Sequence, residues 1–162
     1  VVVLIIGLFA GVAVLSLGVL GSDRELQREA ERLSTLMGLV QEEALMQGRD
    51  FGVLFSASSY RFLIFDYQSG TWVTPAADNI LRERALPEQL TISLRLDDRD
   101  VALDPDLQDI PDTAEPQVLL LSSGEMTPFE AGFGRELETG EFRLSGEFNG
   151  KVNISGVGFP DS

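Results

Sequence analysis

Apolar and polar positions fall into three successive patterns along this chain. From Val1 to Leu20 no residue carries a charge and Ser16 is the one hydroxyl. A run of this kind suffices to cross a bilayer as a helix, for which about 20 apolar residues are needed. From Asp23 to Gln47 charges are frequent, yet Leu26, Ala30, Leu33, Met37, Val40 and Ala44 recur at steps of four and three. That spacing places them on one side of a second helical stretch, and Gly48 supplies its C-terminal stop.

The two stretches run together through Gly21 and Ser22, predicting one rod of about 70 Å at 1.5 Å per residue. A rod so long exceeds what a domain of this size needs for its own core, so it is expected to reach something else. Three readings of Val1 to Leu20 compete. A cleavable signal wants a basic start and a shorter apolar core. A core helix without polar residues wants a larger protein around it. A membrane anchor is therefore favoured. With no initiator Met and no basic flank, the natural chain is expected to continue upstream of Val1, which leaves membrane orientation open.

Beyond Gly48 the period changes to two. Asp50 to Ala57, Tyr60 to Tyr67 and Thr71 to Thr74 are short aromatic and β-branched runs separated by Ser58-Ser59 and Gln68-Ser69-Gly70, the pattern of a meander. The pattern allows a short helical turn at Asn79 to Ala85. Leu90, Ile92, Leu94 and Leu96 alternate with Thr91, Ser93 and Arg95, a strand with one buried face. Further strands are expected at Gln117 to Leu121, Pro128 to Phe133, Gly140 to Glu147 and Lys151 to Ser155, the last two joined by a two-residue Asn149-Gly150 turn. The fold class is thus α+β: a long N-terminal helix (apolar over 1–22, amphipathic over 23–48) followed by an antiparallel β-sandwich-like domain over 49–162.

Charge changes this picture in one place. Asp97 to Glu115 contains eight acids and one arginine, half of the formal net charge of −14, and is broken by Pro105 and Pro111. Apart from a short strand at Val101 to Leu103 it reads as an exposed acidic loop. Asp97, Asp98, Asp100 and Asp104 are candidates for binding a cationic partner, since dense like charge is relieved by opposite charge. A structural calcium ion is the less favoured alternative, because the glycine and closing glutamate of a calcium loop are absent. No cofactor is expected.

The same composition removes several function classes. An acidic chain with a single lysine and scattered arginines is no nucleic-acid binder. With neither cysteine nor histidine, thiol chemistry, Ser-His-Asp catalysis and the commonest metal ligands are unavailable. The carboxylates form no recognisable catalytic pair, so an enzyme is not expected. Gly7 and Gly11 form a GxxxG in the apolar rod, a spacing that lets helix backbones approach closely in a membrane, and Val14 continues that rod. Of the amphipathic stripe, the C-terminal half is expected to dock onto the β domain. Its N-terminal part, from Leu26 and Ala30 through Leu33 toward Met37, is expected to pack against other subunits.

Two segments carry a resemblance: Tyr60-Arg61-Phe62-Leu63 in the first hairpin, and Val118-Leu119-Leu120-Leu121-Ser122-Ser123-Gly124-Glu125-Met126-Thr127-Pro128-Phe129. Physically the second is an apolar strand, a Ser-Ser-Gly turn and a proline leading into the next strand. Together with the N-terminal helix they resemble the H-type minor pseudopilins of bacterial type II secretion systems. The resemblance implies a pilin-like fold and a structural role near the tip of a short filament, the pseudopilus, which helps drive folded exoproteins through the outer-membrane secretin. It implies a single-pass inner-membrane protein with a periplasmic domain. Its partners would be other minor and major pseudopilins, the inner-membrane secretion platform, and the secretin and exoprotein cargo. A prepilin peptidase would remove a leader, and the early helix glutamate of the family would lie upstream of Val1. A type IV pilus minor pilin, for assembly or DNA uptake, is the alternative, disfavoured by the lack of a cysteine pair and of a basic surface.

Overall fold

The computed structural model describes the backbone of residues 2–75, 79–135 and 142–156, and the side chains of these from residue 24 onward. One unbroken helix, α1, spans Val2–Gln47. Gly48 ends it in the left-handed region at φ 62°, and the Arg49 N–H returns to the Ala44 carbonyl at 3.3 Å. This closing pattern satisfies a carbonyl that the helix end would otherwise orphan, and glycine adopts it without steric cost.

Ten strands follow among the described residues: β1 (Phe51–Phe55), β2 (Ser59–Asp66), β3 (Thr71–Val73), β4 (Arg84–Ala85), β5 (Leu90–Leu96), β6 (Arg99–Val101), β7 (Val118–Leu120), β8 (Phe129–Arg135), β9 (Phe142–Gly146) and β10 (Val152–Gly156). They form two five-stranded antiparallel sheets. The first runs β3-β2-β1-β7 with β4 beside β2, and the second runs β10-β9-β8-β5-β6. The helix touches β1 and β7 of the first sheet and β8, β9 and β10 of the second. Phe51, Val53, Phe55, Tyr60 and Phe62 from one sheet, and Ile92, Leu94, Ala131, Phe133 and Leu144 from the other, join the helix stripe in a single core.

The alternation in β5 appears as read: Leu90, Ile92 and Leu94 are buried while Ser93 and Arg95 are exposed. Three local expectations are corrected. Asn79 to Ala85 forms no helical turn. Leu81 drops into the core, and the Arg84–Ala85 backbone pairs with Tyr60 and Ser59, so long-range pairing overrides local preference. The turn between β9 and β10 has three residues, Phe148, Asn149 and Gly150. The Gly150 N–H reaches the Glu147 carbonyl at 2.9 Å, and Gly150 sits at φ 84°.

The third correction concerns the acidic run, whose carboxylates are largely exposed as expected but whose strand is displaced and whose backbone is anchored to the first sheet. Asp97 and Asp98 form a two-residue turn with φ 48° and 60°, and the strand after it lies at Arg99–Val101. Asp106 then caps a short 3-10 turn at Leu107–Asp109, its carboxylate accepting the Gln108 N–H at 3.1 Å. Leu107 and Ile110 bury themselves against Leu54 and Leu63 on the outer face of the first sheet. The Asp104 carbonyl accepts the Ala57 N–H at 2.8 Å. Apolar residues spaced among the acids therefore fasten the segment down, leaving its carboxylates on the outside.

Close approach explains Gly52 but not Gly38. A Cβ on Gly52 would overlap the ring of Pro116, whereas one on the exposed Gly38 of α1 would meet no atom within 4 Å. Gly52→Ala should lower the unfolding free energy by about 1–3 kcal/mol through overpacking. Gly38→Ala should raise it by about 0.5–1 kcal/mol through helix propensity. Urea denaturation of both variants checks the pair.

Candidate assembly surface

The amphipathic part of α1 has two faces with opposite fates. Leu26, Ala30, Leu33, Met37, Val40 and Ala44 are each 0% exposed and belong to the chain's own core. This corrects the expectation for the N-terminal part of the stripe: Leu26, Ala30, Leu33 and Met37 belong to the domain core and are not free to meet another subunit. The core of the domain extends along the helix as far as Leu26. Gly7, Gly11 and Val14 lie on the helical backbone outside the described side chains.

On the other side of the helix, Leu39, Leu45 and Met46 are exposed at 39%, 53% and 86%. Thr35, Gly38 and Glu42 are exposed with them. Sequence reasoning missed this face because its apolar residues stand off the three-four stripe, and one strong stripe had already accounted for the helix. The signal was present in that misfit: Leu39, Leu45 and Met46 are apolar where the period calls for polar residues. Leu45 also lies beside Gly124 of the Ser-Ser-Gly turn, and Gln41 donates from Nε2 to the Gly124 carbonyl at 2.8 Å. The outward face is thereby held in a fixed position on the domain.

Two carboxylates sit near the ends of the docked part of the helix. Glu29, 3% exposed, is buried beside the stripe, and its two oxygens lie 3.2 and 3.3 Å from Nη1 of Arg32. Burial raises its pKa above the usual carboxylate value, and Arg32 only partly opposes this. The Tyr60 hydroxyl, without a hydrogen-bond partner among the described residues, is pushed up to about 12 by burial and by the Glu29 charge. Asp50, just past the helix, behaves oppositely. Burial works to raise its pKa, but the Ser122 N–H at 2.8 Å and the Tyr67 hydroxyl at 2.8 Å outweigh it, and the net shift is downward.

Of the acidic candidates, the structure brings Asp97, Asp98 and Asp100 onto one hairpin and leaves Asp104 after it. All four are exposed. Asp100 already has a cation, Arg95 Nε at 3.1 Å, and Arg95 continues to Glu130 at 3.5 Å and Glu130 to Arg143 at 3.9 Å, a charge ladder across four strands. Among the described residues no cluster of three or more carboxylates could hold a metal ion. Among the residues whose side chains are described, from residue 24 onward, no helix is long and apolar enough to cross a membrane.

A long helix seated on two antiparallel sheets with an outward apolar face can be compared with known proteins. The sequence matches the family described as type II transport protein GspH over residues 29–158. The chain belongs to the GspH family. It is 36% identical over 132 residues to the type II secretion system protein H of Pseudomonas aeruginosa, covering 80% of this chain and 74% of that one. The corresponding protein of Aeromonas hydrophila is 28% identical over 132 residues, 79% and 72% of the two chains. The minor pseudopilin EpsH from the type 2 secretion system of Vibrio cholerae superposes with a TM-score of 0.71 at 26% identity, over 85% of this chain and 99% of that one. The solution structure of E. coli GspH, at 22% identity and a TM-score of 0.62, covers 83% and 90% and shares the fold. The chain thus has the pilin-like α+β fold and the role of a minor pseudopilin of type II secretion, as the resemblance implied.

The two carboxylates give this pseudopilin opposite pH responses. A raised pKa means that folding favours the protonated form, so the Glu29 contribution should grow as pH falls through its raised value toward the ordinary carboxylate range. The Asp50 contribution, held by a lowered pKa, should be lost as pH falls below that range. Glu29→Gln should therefore flatten the gain in stability on mild acidification, and Asp50→Asn should flatten the loss at lower pH. Denaturation curves of both variants from neutral pH downward check the signs.

Proposed function

We propose that this pseudopilin is anchored in the inner membrane by the apolar part of α1, with its β domain in the periplasm, and enters the pseudopilus through the outward face of that helix. The observation carrying this reading is the exposed apolar set Leu39, Leu45 and Met46, on a helix continuous from Val2 to Gln47. A helix leaving the bilayer loses its lipid contacts, and burial against apolar helices of neighbouring subunits offsets that loss. Its neighbours are other minor and major pseudopilins, and it acts near the tip, where it primes assembly by the inner-membrane platform and helps push exoproteins toward the secretin. The work is mechanical, with no catalysis and no cofactor.

Placing a charge on the two faces separates fold from assembly. Leu39→Glu should leave domain stability within about 0.5 kcal/mol, as exposed substitutions do, while exoprotein secretion falls in cells with this copy alone. Val40→Glu, one residue away on the buried face, should unfold the domain. Normal secretion with Leu39→Glu would defeat the assembly reading.

A second reading is favoured by the exposed Asp97-Asp98 turn, which no ion pair among the described residues neutralises. It offers a contact for a cationic patch on a neighbouring subunit, whereas Asp100 is already engaged by Arg95. Asp97→Asn with Asp98→Asn should weaken binding to such a subunit at low salt. The difference should fade as ionic strength shortens the screening length to about 8–10 Å, and calorimetry at two salt concentrations measures it.

A further inference from the structure

The chain has no cysteine, and its three methionines differ sharply in access. Met37 is 0% and Met126 1% exposed, both inside the core, whereas Met46 is 86% exposed near the C-terminal end of α1. Met46 is thus the one sulfur that a solution oxidant can reach without unfolding the domain. It also stands on the outward face assigned above to packing between subunits.

We propose that Met46 is an oxidation site that gates incorporation of the subunit, an inference resting on the assembly reading of the outward face. The co-reactant is a hypohalous acid. The thioether sulfur takes the oxygen of hypochlorous acid, an S–O bond forms and the O–Cl bond breaks. Sulfur loses two electrons, chlorine leaves as chloride, and a proton is released. The product, methionine sulfoxide, carries a strong dipole where the apolar contact requires a soft, flexible hydrocarbon-like group. Burying it against a neighbouring helix leaves that oxygen without a hydrogen-bond donor, so the oxidised subunit packs poorly. The modification acts before assembly, because packing of this face removes Met46 from solvent. A core methionine could not serve, since oxidant reaches it only after the fold has opened.

The test has a chemical and a cellular arm. The full chain in membrane vesicles is titrated with hypochlorite and its methionines are followed by peptide mass spectrometry. Met46 should gain one oxygen well before Met37 or Met126, and equal rates at the three would overturn the proposal. In cells, incorporation into the pseudopilus is read by co-purification with the filament after a hypochlorite pulse. Incorporation of newly made wild-type subunit should drop about tenfold, the order of one lost buried apolar contact. Met46→Leu should be insensitive, and Met46→Gln should be low without oxidant. If wild type and Met46→Leu respond alike, oxidation at this site gates nothing. If Leu39→Glu incorporates normally, the outward face is not the packing surface and the gate fails with it, a result distinct from failure of the oxidation arm alone.

Discussion

Seating α1 on both sheets at once is the contact from which the remaining structure follows. Strands β1 and β7 come from one sheet and β8, β9 and β10 from the other, and the buried stripe from Leu26 to Ala44 is common to both. Neither sheet could bury its inner aromatic and aliphatic residues alone. The helix closes the core and, by turning its stripe inward, decides which of its residues remain outside. The exposed set Leu39, Leu45 and Met46 is what the core leaves over.

The ends of this contact are secured by polar groups of unlike character. At one end Glu29 is buried with a single partly exposed arginine, a costly arrangement at neutral pH. At the other, Asp50 accepts bonds from Ser122 and Tyr67 and so ties the start of the first sheet to the Ser-Ser-Gly turn. The Ser-Ser-Gly segment that carried the family resemblance thus has a physical task. Its backbone offers the Gly124 carbonyl to Gln41 and the Ser122 N–H to Asp50, joining helix and sheet.

Much of this was legible in residue order, for reasons that differ by element. The three-four stripe and Gly48 revealed the helix and its stop because both are local signals, and β5 was legible because alternation is. The two residues of β4 were not, since Arg84 and Ala85 become a strand only by meeting Tyr60 and Ser59 far back in the chain. Nor was the Asp97-Asp98 turn, where aspartates occupy left-handed positions usually given to glycine or asparagine. Leu107 and Ile110 were masked by the charges around them. The candidate site fared worst: the stripe was read as partly external, whereas the surface left free is Leu39, Leu45 and Met46. Which side of an amphipathic helix meets a partner depends on how much of it the domain itself covers, a property of the whole fold.

The charge ladder from Asp100 through Arg95 and Glu130 to Arg143 runs directly across β6, β5 and β8 and then diagonally to β9. Strands that slide past one another must break their hydrogen bonds together, and the ladder adds electrostatic cross-ties that must shift register with them. The second sheet is therefore cross-tied against sliding of its strands.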